Sequence, residues 1–256
     1  MSIPNLSLVG KVAIVTGGRR GIGEAIALAF AEAGADIGIC DNVVEDGLLE
    51  AVAEKIKKVG RRSLAVEADV TRKSEVDNFV KRAMDEFGAI DILFNNAAIE
   101  LEERMLECEE DDWDKVIDTD LKGYFLCAQA VGKGMVDQKR GNIINMASED
   151  SFRASKRGNA SYGIAKAGVV MLTRTLAKKL ASYNIRVNAI APGTVRAPLS
   201  MQLWTNPEYL KELEAVVPMG RIAETSDIIG PALFLASEAS SYVTGHTIVV
   251  DGGRMA

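Results

Sequence analysis

The chain has little of several residue types that carry chemistry elsewhere. It holds one histidine, His246, and three cysteines, Cys40, Cys108 and Cys127. A Ser-His-Asp hydrolase would need His246 as its base, and a zinc site usually recruits more than one imidazole. The cysteines form no close pair and no metal-ligand spacing, so neither a disulfide framework nor a metal site is expected, and the sparse odd count suits a reducing compartment. Positive charge is not in excess either. The formal net charge is −6, so no basic face favours nucleic acid. The short clusters Arg19-Arg20, Arg61-Arg62 and Lys156-Arg157 read as solvated surface. No apolar run has the length of a membrane span, and Met1-Ser2-Ile3-Pro4 lacks the features of a signal peptide. A cytoplasmic protein is the expectation.

What remains is an ordinary globular composition, with 48% hydrophobic and 26% charged residues over 256 positions. Short β-branched runs alternate with longer amphipathic stretches almost from end to end. Strands are expected at 12–16, 36–40, 63–67, 90–94, 142–146, 186–190 and 247–250. Helices are expected near 21–33, 46–59, 73–87, 113–137, 160–181 and 226–235. This alternation implies parallel strands joined by right-handed crossovers, with helices on both faces. Several strands are nearly all apolar, as strands covered on both faces should be. The expected architecture is α/β: one doubly wound domain over 1–256 with a seven-stranded parallel sheet. The stretch 198–221 interrupts the rhythm with Pro207, Pro218 and Trp204 and no clean periodicity. An insert of this kind at the C-terminal end of a strand reads as a lid.

The first expected strand runs straight into Gly17-Gly18-Arg19-Arg20-Gly21-Ile22-Gly23 and then an alanine-rich helix. Gly17 permits the tight turn. Gly21 and Gly23 let backbone and helix approach a pyrophosphate at the helix N-terminus. Asp41 lies eighteen positions after Gly23, where a carboxylate can accept both ribose hydroxyls of an adenosine and repel a 2′-phosphate. Arg20 argues the other way, because a guanidinium in the turn can pair with that phosphate. The carboxylate carries more weight, and NAD is the expected cofactor, ahead of NADP. Further on, Tyr162 and Lys166 lie four apart in a helical segment and so share one face. An ammonium one turn from a phenol favours the phenolate and moves it toward acid–base work. Ser148 lies just upstream.

Together these residues resemble the short-chain dehydrogenase/reductase family, in its single-domain branch, over practically the whole chain. The matching elements are Thr16-Gly17 with Gly21-Ile22-Gly23, Asp69 in Ala68-Asp69-Val70, Asn95-Asn96-Ala97-Ala98, Ser148, Tyr162 with Lys166, Pro192-Gly193, and Val250-Asp251-Gly252-Gly253. The resemblance implies hydride transfer between NAD(H) and a secondary alcohol or ketone. It implies Tyr162 as general acid/base, Lys166 as the residue that holds the nicotinamide ribose and lowers the tyrosine pKa, and Ser148 as a hydrogen-bond donor to the substrate oxygen. Asp69 and Val70 are expected at the adenine, Asn95 and Ala97 at the cleft floor. Ile22, Pro192, Gly193 and Val195 are also expected against the cofactor.

The chain departs from the family pattern at four points. Asp120 stands where asparagine is usual in the catalytic tetrad. Ser148 precedes Tyr162 by fourteen residues, not thirteen. Ala197 replaces a threonine, and Ala98 a glycine. Candidate substrate-lining residues are Glu100, Glu149, Asp150, Arg153 and Trp204, whose polar members favour a polyol or sugar. A 3-oxoacyl thioester, admitted by an apolar lid and basic residues, is the alternative, as is a non-catalytic nucleotide-binding member of the fold. No metal is expected. His246 reads as structural or interfacial, and Phe125, Met171 and Phe234 read as core. The resemblance also implies a homotetramer built on helices 113–137 and 160–181.

Overall fold

The computed structural model describes residues 5–102, 104–155 and 158–256. The opening Met1-Ser2-Ile3-Pro4, Glu103 and the pair Lys156-Arg157 lie outside the described residues. Seven strands form one parallel sheet in the order β3-β2-β1-β4-β5-β6-β7. They are β1 (Val12–Thr16), β2 (Asp36–Asp41), β3 (Ser63–Glu67), β4 (Ile92–Asn95), β5 (Gly141–Met146), β6 (Ile185–Pro192) and β7 (Thr247–Val250). The expected strands are all present. β4 begins two residues later than expected, and β6 extends to Pro192. Helices α1 (Gly21–Glu32), α2 (Leu48–Lys58) and α3 (Lys73–Phe87) connect the first four strands. Two apolar cores, one on each sheet face, explain why β1 and β4 are buried throughout.

Strand order reverses between β1 and β4, which pair from Ala13 with Ile92 to Val15 with Phe94. At such a switch point the chains leaving the two strands diverge and open a crevice at their carboxyl ends. Thr16 and Asn96 tie this crevice together. Thr16 Oγ1 accepts the amides of Asn96 (3.0 Å) and Ala97 (3.1 Å), while Asn96 Nδ2 donates to the carbonyls of Thr16 and Gly17 (both 3.1 Å).

The helix expected over 113–137 has a different form. It consists of α4 (Glu110–Ile117), a π-helical turn at Asp118–Lys122 and α5 (Gly123–Gln138), in continuous helical backbone. A π turn inserts an extra residue into the helical repeat and so rotates α5 relative to α4. Asp120 lies within it and is fully buried. The long helix α6 (Ala160–Leu180) packs against this turn through Gly168, where a Cβ would fall 2.8 Å from Leu121 Cδ2. Close approach at Gly168 brings Asp120 to the buried face of α6. The stretch 198–221 contains two short helices, α7 (Met201–Trp204) and α8 (Pro207–Ala215). Pro207 opens α8, and the Asn206 side-chain oxygen accepts the Glu208 and Tyr209 amides. Helix α9 (Thr225–Ala236) completes the layer.

Phe125 and Met171 are not core residues. They are 43% and 58% exposed, on α5 and α6, and Phe234 is half-buried. Helical spacing marks an apolar face without saying what covers it.

Candidate active site

Two clefts meet at the carboxyl end of the sheet. The larger, about 390 Å³, is lined by the glycine turn, Asp41, Asp69, Val70 and the β4 exit. The smaller, about 100 Å³, is lined by Ser148, Glu149, Asp150, Tyr162, Lys166 and 192–195. Ile22, Asn96, Ala98, Ala197 and Leu199 border both, so the space is continuous.

Gly17, Arg20, Gly21 and Ile22 line the larger cleft as expected. Gly23 does not line it and is required for packing instead: a Cβ there would sit 2.0 Å from the Gly17 carbonyl oxygen. Ala97 lines the floor, but Asn95 does not. Asn95 is wholly buried beneath it, with Nδ2 donating to Asn145 Oδ1 at 2.9 Å, and the adjacent Asn96 takes the lining position. Neighbouring strand residues point to opposite sides, so a one-residue error exchanges floor for support.

The two arginines of the turn are placed differently. Arg20 is exposed, and it is the preceding Arg19 that faces Asp41, with Nε 3.3 Å from Asp41 Oδ1 and Nη1 hydrogen-bonded to Asp46 Oδ2. Asp41 also accepts the Val43 amide at 3.1 Å. Sequence reasoning missed Arg19 and Asp46, since two adjacent arginines in a turn carry no signal of which one turns toward the strand.

In the smaller cleft, Ser148 caps a 3-10 turn at Glu149–Ser151, its Oγ accepting the Asp150 amide at 3.2 Å. Tyr162 and Lys166 project from the buried face of α6, one turn apart. Lys166 is completely buried. Its Nζ lies 3.1 Å from Asp120 Oδ2, donates to Tyr124 Oη at 3.1 Å and donates to the Met146 carbonyl at 3.1 Å. The ammonium thus has two hydrogen-bond acceptors and one ion-pair partner around it. Tyr124, on α5, is a neighbour that the sequence did not single out. Asp120 Oδ1 accepts the Ile99 amide at 2.9 Å.

Burial dominates the ionisation of this group. It raises the Tyr162 phenol above its usual range, while the Lys166 charge pulls it down and the Asp120 charge adds to the rise. The sequence-based expectation of a lowered phenol holds for the lysine's contribution and fails for the sum. Asp120 is likewise raised, by burial first, against the lowering effect of Lys166 and the Ile99 amide. Tyr124 is raised well above its usual range by burial.

The substrate-side candidates divide. Glu100, Glu149 and Asp150 line the small cleft. Asn159 Nδ2 links two of them, donating to Glu100 Oε1 at 2.7 Å and Asp150 Oδ2 at 3.2 Å. Arg153 does not line the cleft but holds Glu149 Oε1 at 2.7 Å, and Arg254, from the end of the chain, binds the same oxygen. Trp204 is also displaced. Its indole donates to the Ala197 carbonyl at 3.1 Å and its ring lies under Arg196, so Leu199 and Leu203 line the cleft from this segment. His246 is exposed; its amide donates to Asn188 Oδ1 at 3.1 Å and its carbonyl accepts the Ala189 amide at 2.9 Å. Among the described residues no group of three or more histidine, cysteine or acidic side chains is arranged for a metal ion, and no helix is long and apolar enough to cross a membrane.

A parallel sheet with a glycine turn at its switch point, and a tyrosine and lysine on one helix face beside it, defines a nicotinamide-dependent oxidoreductase fold. The chain belongs to the short-chain dehydrogenase/reductase family. Residues 17–254 match the family described as Enoyl-(Acyl carrier protein) reductase. Over 257 aligned residues the chain is 43% identical to 2-dehydro-3-deoxy-D-gluconate 5-dehydrogenase of Escherichia coli (strain K12), covering 100% of both. It is 40% identical to the 3-oxoacyl-(acyl-carrier-protein) reductase FabG of Staphylococcus epidermidis, covering 96% of this chain and 99% of that one. A gluconate 5-dehydrogenase from Burkholderia cenocepacia J2315, solved in complex with NADP and tartrate, superposes with a TM-score of 0.93 at 34% identity, covering 99% of this chain and 98% of that one.

Proposed function

We propose that the protein is an NAD-linked dehydrogenase acting on the secondary alcohol of a small sugar or polyol. The observation that carries this reading is the placement of Ser148, Tyr162 and Lys166 around one small cleft that opens into the glycine-turn crevice. The crevice fits a dinucleotide: its turn is built of glycines whose side-chain positions are closed by Gly17, Asn96 and Pro198, and its far end carries a carboxylate. Gly17, Gly21 and Ile22 would hold the pyrophosphate, Asp41 the adenosine ribose, Asp69 and Val70 the adenine, and 192–195 the nicotinamide side. Bound there, the nicotinamide supplies or accepts the hydride.

The residues of the chain manage the proton and the charge. In reduction, Tyr162 Oη gives its proton to the carbonyl oxygen as carbon becomes an alcohol. In oxidation the phenolate takes that proton back. Lys166 lowers the cost of the phenolate, and Ser148 donates a hydrogen bond to the reacting oxygen. Asp120 fixes Lys166. The carboxylates of Glu100, Glu149 and Asp150 and the amide of Asn159 suit a substrate rich in hydroxyl groups, and the sugar-type names of close relatives point the same way. Kinetics decide the assignment. Tyr162→Phe should lose turnover by about a hundredfold or more, the usual scale of a lost general acid, while dinucleotide affinity changes little. Lys166→Ala should damage both. Retention of substantial turnover by the Phe variant would refute the role of Tyr162, and a preference for 3-oxoacyl thioesters over polyols in a substrate panel would refute the substrate class.

The segment 198–221, which borders both clefts through Leu199, is proposed as the lid of a single domain. A cytoplasmic homotetramer completes the proposal. Phe125, Ile164 and Met171 are 43%, 47% and 58% exposed on α5 and α6, and apolar side chains of this size on two long neighbouring helices suit an isologous interface.

A further inference from the structure

The charged residues at the adenosine end of the crevice form a fixed unit. Arg19 leaves the glycine turn with only 9% of its surface exposed. Its Nε faces Asp41 Oδ1 at 3.3 Å, and its Nη1 donates to Asp46 Oδ2. Asp46 is itself anchored, because its second oxygen accepts the Leu48 amide at 3.1 Å, at the first residue of α2. That amide and the Arg19 guanidinium together hold the Asp46 carboxyl below its usual range. Arg19 therefore bridges the β1–α1 turn and the β2–α2 loop, clasped by a carboxylate at each contact. Arg20 alongside is exposed.

We propose that Asp46 is a positioning residue for cofactor choice: it latches Arg19 against Asp41, so that the guanidinium cannot serve a 2′-phosphate. This rests on the reading that the crevice holds a dinucleotide with its adenosine ribose at Asp41. Guanidinium is the strongest side-chain partner for phosphate, and two in one turn would ordinarily favour NADP. Here the two carboxylates balance the two arginines. To reach a 2′-phosphate, Arg19 must leave Asp46 and expose an unpaired carboxylate beside a dianion. Discrimination thus arises from a group that repels the wrong ligand and occupies its natural receptor at once. Without Asp46 the unit carries one net positive charge, with Arg19 released from its outer contact.

Calorimetric titration of the full chain with 5′-AMP and with adenosine 2′,5′-bisphosphate tests the latch without turnover. Wild type should bind 5′-AMP more tightly. Asp46→Asn keeps an oxygen for the Leu48 amide but loses the charge. It should shift the affinity ratio toward the bisphosphate by about tenfold, the scale of one charge-assisted contact. Asp46→Ser, which also retains a side-chain oxygen for the loop, should do the same. Adding Arg19→Ala to either variant should erase the shift. A ratio unmoved by both Asp46 variants, or a shift that survives the loss of Arg19, would overturn the latch and leave the dinucleotide reading standing. Wild type that binds neither nucleotide would overturn that reading and the latch with it.

Discussion

Asp120→Asn takes one oxygen from a carboxylate that uses both. Oδ1 accepts the Ile99 amide and Oδ2 faces Lys166 Nζ at 3.1 Å. An asparagine has one acceptor oxygen and one donor nitrogen. If its oxygen turns to Ile99, its NH2 confronts the ammonium; if it turns to Lys166, the NH2 confronts the Ile99 amide. Either arrangement sets donor against donor in a fully buried site. The lost attraction is about 5 kcal/mol at 3.1 Å with an effective dielectric of about 20. Breaking a buried pair from one side costs about 3–5 kcal/mol. Tyr124 Oη and the Met146 carbonyl still accept from Lys166, so the lower end, about 3 kcal/mol, is expected. At about 2–4 °C per kcal/mol for a chain of this size, the melting temperature should fall by roughly 6–12 °C. The pH profile should move too. The Asp120 charge raises the Tyr162 phenol, so its removal lets the phenolate form at lower pH. The alkaline rise in alcohol oxidation should then shift toward acid. The maximal rate should change less. Thermal unfolding and kinetics across pH check both effects. A melting temperature within about 2 °C of wild type, with an unmoved profile, would show that Asp120 does not compensate Lys166.

Gly23→Ala should abolish dinucleotide binding, because the added methyl would lie 2.0 Å from the Gly17 carbonyl oxygen and displace the turn; binding within about threefold of wild type would contradict this packing. Arg254→Ala leaves buried Glu149 with Arg153 as its remaining cation among the described residues, and should raise KM for substrate more than it lowers kcat, since it disturbs the cleft wall and leaves Tyr162 in place. Equal losses in a steady-state comparison would argue that Arg254 acts on the fold instead. Sedimentation should show a homotetramer, and replacing Phe125 and Met171 by aspartate should shift it to smaller species; an active wild-type monomer would refute the interface.

Much of the fold is legible in local pattern. Apolar strands alternating with amphipathic helices leave few architectures besides a parallel sheet covered on both faces, and the glycine turn after the first strand locates its switch point. Tyr162 and Lys166 are visible because an interval of four on a helix puts two side chains on one face regardless of what surrounds them. Other features depend on contacts between distant segments. The π turn that buries Asp120 has no local signature, and Tyr124 meets Lys166 across 42 positions. The choice between Arg19 and Arg20 is made by Asp46 on another loop, and the Glu149 carboxylate is held by an arginine 105 residues away. Phe125 and Met171 have core-like spacing yet face outward, since periodicity records an apolar face but not its cover. Sequence thus determined the elements and the residues whose geometry is set within one helical turn. Tertiary structure decided which charges meet, because the direction of a side chain in a turn or a π bulge is set by its packing partners.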